Sequence, residues 1–143
     1  MKEFEFTVNA KAKGKERPRI VRINGVVRAY TPIKTLEFER LVASEFLSQG
    51  GTVFDHKWLS VTITAYFPIP KSTKKADRLQ LETGYVPYDK KPDTDNIAKS
   101  ILDGLNKIAW LDDKQVVNLK VKKFYGTVPK LIIKIREVYA NDN

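Results

Sequence analysis

Lys91-Pro92-Asp93-Thr94-Asp95-Asn96-Ile97-Ala98-Lys99-Ser100-Ile101-Leu102-Asp103-Gly104-Leu105-Asn106, followed shortly by Trp110-Leu111-Asp112-Asp113-Lys114-Gln115, gathers five aspartates into one short reach of a basic chain. Ala98, Ile101, Leu102 and Leu105 recur at helical spacing, which predicts a helix from Thr94 or Asp95 to Asn106. Asn106 suits the left-handed conformation that closes a helix. Asp93 and Asp95 then straddle Thr94 at the helix start, where the positive end of the macrodipole partly relieves their charge. Lys99 lies one turn beyond Asp95, and Asp103 one turn beyond Lys99.

Crowded carboxylates repel, by about 4 kcal/mol at contact distance and an effective dielectric of about 20. A divalent cation in the gap removes that cost, and Mg²⁺ takes oxygen ligands of this kind. A structural account competes. Asp before a helix is a routine N-cap, and Asp95–Lys99 is an i,i+4 ion pair worth about 0.3–0.5 kcal/mol. A cap, however, uses one carboxylate, and Asp112-Asp113 adds two more. Strand alternation makes one of that pair the direct ligand; the other holds a second metal or an outer-shell water. Asp103 stays closer to the structural account, as a partner for Lys99 or for a basic loop.

Downstream, Val117, Leu119 and Val121 alternate with Asn118, Lys120 and Lys122, a strand from Val116 to Tyr125. Gly126–Lys130 turns the chain into a final strand, Leu131 to Val138, and Ala140–Asn143 is expected to fray. Upstream, the loop from Gly84 to Lys91 carries Tyr85, Tyr88, Lys90 and Lys91. Such interleaving suits unpaired bases and phosphates, although packing on their own domain is the preferred reading of the tyrosines. Lys71, Lys74 and Lys75 open a basic patch that runs to Arg78 and into a short helix ending at Glu82.

Leu59, Val61, Ile63, Ala65 and Phe67 predict a long strand from Trp58 to Phe67, stopped by Pro68-Ile69-Pro70. Thr31 is the expected N-cap and Pro32 the first residue of a helix with Ile33, Leu36, Leu41, Val42 and Phe46 on its apolar face. Gln49-Gly50-Gly51 ends it. Asn24-Gly25 is a type I′ turn signal inside a hairpin from Ile20 to Tyr30. Before it, Lys13, Lys15, Arg17 and Arg19 belong to a turn-prone arm, Lys11–Arg19, whose charges suit DNA phosphates. Phe4, Phe6 and Val8 mark a first strand. Trp58 and Trp110 are expected in the core, and His56 in a turn or the core. The whole, residues 1–143, is expected to be a single α/β domain with a mixed sheet.

Composition narrows the function. The chain has 143 residues, 26 Lys and Arg against 17 Asp and Glu, and a formal net charge of +9. That excess attracts polyanions, nucleic acid first. Without cysteine there are no disulfides, thiolate metal sites or Cys nucleophiles, and one histidine excludes His-rich metal sites. Any metal is held by oxygen. No apolar run is of membrane-spanning length and Met1–Phe6 lacks a signal-peptide core, so no membrane partner and a cytoplasmic location are expected. A Mg²⁺-dependent nuclease satisfies the carboxylates and the positive charge together. A non-catalytic nucleic-acid-binding module and a metal-dependent small-molecule phosphohydrolase are the alternatives.

Lys91-Pro-Asp-Thr-Asp-Asn-Ile-Ala-Lys99, Leu102-Asp-Gly-Leu-Asn106 and Trp110-Leu-Asp-Asp-Lys-Gln-Val116 resemble, in that order, the RusA family of Holliday-junction resolvases. Arg17-Pro18-Arg19 and Tyr30-Thr31-Pro32 are similar to that family's opening segment. The resemblance implies a homodimeric endodeoxyribonuclease of bacterial or phage origin that acts on four-way or other branched DNA with Mg²⁺, or Mn²⁺ in its place. It implies that Asp93, Asp95 and Asp113 are the metal-binding aspartates and Lys99 the catalytic lysine. Asp112 and Asp103 fall on further recurrent acidic positions. Because the segment Lys107–Ala109 differs in length among relatives, the choice between Asp112 and Asp113 as direct ligand stays open.

Overall fold

In a computed structural model, which describes residues 2–141, the chain is built around its most buried strand. Asp142 and Asn143 of the expected frayed tail lie outside the described residues. Strand β4 (Trp58–Pro68) buries Leu59, Val61, Ile63, Ala65 and Phe67 completely on one side. It pairs antiparallel with β6 (Lys130–Val138) and parallel with β5 (Val116–Gly126), and β1 (Glu3–Val8) joins the far side of β6 antiparallel. The mixed sheet therefore runs β1-β6-β4-β5. Helices α1 (Ile33–Ser48) and α3 (Thr94–Leu105) cover its apolar face, while α2 (Lys75–Leu81) buries nothing. Among the described residues no helix is long and apolar enough to cross a membrane.

Gly104 explains how the two long helices lie so close. A Cβ there would stand 2.8 Å from the Glu39 carbonyl oxygen of α1, so only glycine fits. α3 buries Ile97, Ala98, Ser100, Ile101, Gly104 and Leu105; of the expected stripe Ala98, Ile101 and Leu105 are buried and Leu102 is half-buried. Its end differs from expectation: Asn106 is extended, and Lys107 takes the positive φ of 67°.

The apolar face of α1 is also rotated from the expected one. Thr35, Phe38, Val42 and Phe46 point inward, whereas Ile33 and Leu41 are exposed. Phe46 meets Phe4 and Phe6 of β1 edge-on, at centroid distances of 5.3 and 5.5 Å. That aromatic contact selects the stripe containing Phe38 and Phe46 over the one containing Ile33 and Leu41. The helix starts one residue late, with Pro32 at the N-cap position and no side-chain cap.

Asn24 and Gly25 both have positive φ, as a type I′ turn requires, and join β2 (Arg19–Ile23) to β3 (Val26–Tyr30). This hairpin forms its own two-stranded sheet, and Ile20, Ile23, Val26 and Val27 remain exposed. In β5 a register shift pairs Leu59 with Val116 but Ser60 with Asn118. Val117 is the extra residue, expelled to solvent, so the expected face of Val117, Leu119 and Val121 is broken. Trp110 is fully buried as expected; Trp58, at the strand start, is exposed instead.

Candidate active site

The two leading aspartates sit where the sequence places them, but their carboxylates do not do the work of a helix cap. Asp93 occupies the N-cap position, and its carbonyl accepts from Ile97 N at 3.1 Å, yet its side chain makes no capping hydrogen bond. Asp95 is exposed in the first turn, and among the described residues no ion pair joins it to Lys99. Neither use proposed by the structural account takes up these groups.

The loop leading to Asp93 is held from beneath. Lys123 on β5 donates through Nζ to the carbonyls of Lys90 (2.7 Å) and Pro92 (2.9 Å). Tyr88 stacks on Phe67 at 4.0 Å and meets Tyr125 edge-on, so this tyrosine packs on its own protein, as preferred from sequence. Lys123 escaped the sequence reading. The signal was there: it falls on the inward register of β5, opposite Ala65, where a cation must find acceptors.

The Asp-Asp-x-Gln segment divides its labour. Asp112 caps the short 3-10 turn Asp113–Gln115, its Oδ1 accepting from Lys114 N at 2.9 Å. Gln115 Oε1 accepts from the backbone N–H of Leu111 and Asp112, and its amide donates to the carbonyls of Phe54 (2.9 Å) and Lys57 (3.0 Å). Asp113 is left to accept a 2.7 Å hydrogen bond from Nε1 of buried Trp110. Burial pushes the Asp113 carboxyl above its usual range; the Trp110 hydrogen bond opposes this, the charges of Asp103 and Asp112 add to it, and Lys99 counters. The charges of Asp103 and Lys99 on α3 thus both reach Asp113.

Asp103 pairs with a basic loop. Lys15 Nζ lies 3.0 Å from Asp103 Oδ2 and 2.6 Å from Glu39 Oε1. Burial alone would lower the Lys15 pKa, but its hydrogen bonds to Glu39 and Asp103 hold it above the ordinary lysine value. This lysine is turned into the protein, while Lys13, Arg17 and Arg19 remain exposed. The arm is fastened along α3: Lys15 N donates to Asn96 O (3.0 Å), and Ser100 Oγ stands 2.7 Å from Lys13 O. Between arm and helix runs a groove of about 570 Å³ whose lining includes Lys11, Lys13, Lys34, Lys91, Asp93 and Asn96. Lys71, Lys74 and Lys75 are exposed near α2, outside that lining.

Among the described residues no three carboxylate or histidine side chains converge as metal ligands would. The donor chemistry nonetheless fits a hard cation: oxygen ligands only, Asp93 unused as a cap, and Asp113 raised in pKa by burial and by neighbouring negative charge.

Residues 9–136 match the family model described as endodeoxyribonuclease RusA. The chain is also 36% identical over 139 residues to the uncharacterized protein YqaN of Bacillus subtilis (strain 168), a similarity covering 96% of this chain and 98% of that protein. Since the match takes in the arm, the helix behind Asp93 and the turn at Asp112–Gln115, the chain belongs to the RusA endodeoxyribonuclease family.

Proposed function

We propose that the protein is a Mg²⁺-dependent endodeoxyribonuclease that resolves four-way DNA junctions by paired, symmetric nicks, and that it serves recombination and repair in the cytoplasm. The observation that carries this reading is the Asp93 carboxylate, released from capping and set on the wall of a lysine-lined groove, at the head of the helix that brings Lys99 within electrostatic reach of Asp113. Asp93, Asp95 and Asp113 would hold the metal, with Asp112 kept in the turn that aims Asp113. When bound, Mg²⁺ (or Mn²⁺) supplies Lewis-acid charge relief and a water of lowered pKa.

The remaining work falls to side chains of this chain. Lys99 places a positive charge where the phosphoryl oxygens gain negative charge in the transition state. Lys13, Arg17, Arg19 and Lys91 grip the DNA backbone around the groove, and Lys71, Lys74 and Lys75 extend that grip to an arm of the junction. Trp110 fixes the rotamer of Asp113 through its 2.7 Å hydrogen bond. Hydrolysis of this type leaves a 5′-phosphate and a ligatable 3′-hydroxyl. Two nicks at symmetry-related positions call for two active sites, which a two-fold homodimer provides.

The test is a mobile synthetic four-way junction with and without Mg²⁺, with the nicks mapped on each strand. Symmetric nicks that need the metal are expected, with Asp95→Asn lowering their rate by at least about 10³ while junction binding persists. Metal-independent nicking, or an Asp95→Asn variant that cuts as well as its parent, would overturn the assignment. Hydrolysis of free nucleotides as fast as junctions would favour a small-molecule phosphohydrolase.

A further inference from the structure

The sheet face turned away from α1 and α3 carries chemistry that the carboxylate site does not use. Pairing sets three residues abreast on β5, β4 and β6: Lys120, Thr62 and Lys134 in one row, Phe124, Tyr66 and Lys130 in another. Lys122 lies between these rows, beside Thr64. On the β1 side Glu3 neutralises Lys134 in a 2.6 Å ion pair. Towards the β5 edge the charge is uncompensated: among the described residues Lys120 and Lys122 enter no ion pair. Those two lysines are about 6.8 Å apart along the strand.

The other end of the same face is aromatic. Tyr66 and Phe124 lie 6.1 Å apart, and Lys130 sits 5.4 Å above the Tyr66 ring. Next to Tyr66 is an open hollow of about 220 Å³, bordered by the turn that follows α2 and lined by Tyr85, Thr83, Gly126 and Lys130 among others. Tyr85 is 83% exposed there, unlike its packed neighbour Tyr88. A sequence expectation that both loop tyrosines pack inward holds for one only.

We propose that this open face binds a single, unpaired DNA strand, with phosphates along Lys120 and Lys122 and a base seated in the hollow against Tyr66 and Tyr85. Lysines alone would suit any polyanion. The exposed ring of Tyr85 and the half-buried ring of Tyr66 beside a base-sized hollow select an unpaired strand, because only unstacked bases offer a ring face to stack upon. The face lies across the sheet from α3, so it is a second surface and its test requires no cleavage.

The experiment measures fluorescence anisotropy of a labelled oligothymidylate of about twenty nucleotides, and of a duplex of equal length, with the full chain in EDTA. Loss of one stacked base costs about 1 kcal/mol or more, so Tyr85→Ala is expected to weaken single-strand binding about fivefold or more and duplex binding less than about twofold. Lys120→Ala with Lys122→Ala should weaken the single strand by about tenfold and flatten its salt dependence. Photocrosslinking of a 5-bromodeoxyuridine oligonucleotide should mark peptides containing Tyr66 or Tyr85. Unchanged affinity in both variants, or crosslinks confined to Lys11–Arg19, would overturn the proposal. Because Tyr85 is almost fully exposed, its replacement leaves the fold intact, and nicking of a fully paired junction by Tyr85→Ala should match the parent rate.

Discussion

Trp110 and Asp113 show how much a single hydrogen bond can set. The indole is fully buried and donates at 2.7 Å to a carboxylate that burial has already made costly to ionise. Trp110→Phe keeps most of the packing but loses the donor. It is expected to raise the Mg²⁺ concentration needed for half-maximal nicking by about tenfold, as removal of a ligand's outer partner does; a titration of nicking rate against metal reads this directly. Asp113→Asn should abolish nicking and yet stabilise the metal-free protein. A carboxyl whose pKa is higher folded than unfolded favours the folded state only while protonated, so ionised Asp113 weighs against folding at pH 7. Replacing it should raise the melting midpoint in EDTA at pH 7 by an amount equivalent to no more than about 1 kcal/mol, given solvent screening. The difference should fade as pH drops from the raised folded pKa towards about 3.9, the unperturbed Asp value, and be lost below it.

At the scale of elements, Lys15 ties three segments together: the arm that bears it, α1 through Glu39 and α3 through Asp103. Lys15→Met leaves two carboxylates without their cation. The expected cost is about 1–2 kcal/mol by denaturant unfolding at pH 7, between the limits for surface and buried pairs. A lysine whose pKa is raised on folding stabilises at all pH values below its unfolded pKa, so on the alkaline side the gap between parent and variant should persist to about pH 10 and close only above it. From sequence, Lys15 was one phosphate-gripping cation among several. Nothing local distinguishes it from Lys13; only the approach of α1 and α3, permitted by Gly104, brings Glu39 and Asp103 to the same ammonium.

Across the whole molecule, a net charge of +9 makes affinity for DNA an electrostatic matter. Six phosphate contacts would reduce junction affinity by about 10³ between 50 and 200 mM salt, and a titration at constant Mg²⁺ checks this. A flat response would remove the basic arm from the account. The distribution of the charge matters as much as its sum. Lys11 and Lys13 of the arm, with Lys91, line the groove beside Asp93, while Lys120 and Lys122 lie on the opposite face of the sheet. A chain read in one dimension shows both sets as equally basic, because which face a strand lysine adopts follows from pairing.

The amino-acid sequence by itself determined the features that depend on a few neighbouring residues. These include the β4 alternation, the Asn24-Gly25 turn, and the start of α3 at Thr94 with Asp93 at its N-cap position and Asp95 in its first turn. Each rests on local periodicity or backbone preference, which distant contacts reinforce. Only the tertiary structure decided which stripe of α1 is buried, where β5 bulges at Val117, and that Asp112 caps a turn while Asp113 accepts from the Trp110 indole. These choices turn on groups far apart in the chain: the ring of Phe46 against β1, the carbonyls that engage Gln115, and the indole of Trp110 held in the core.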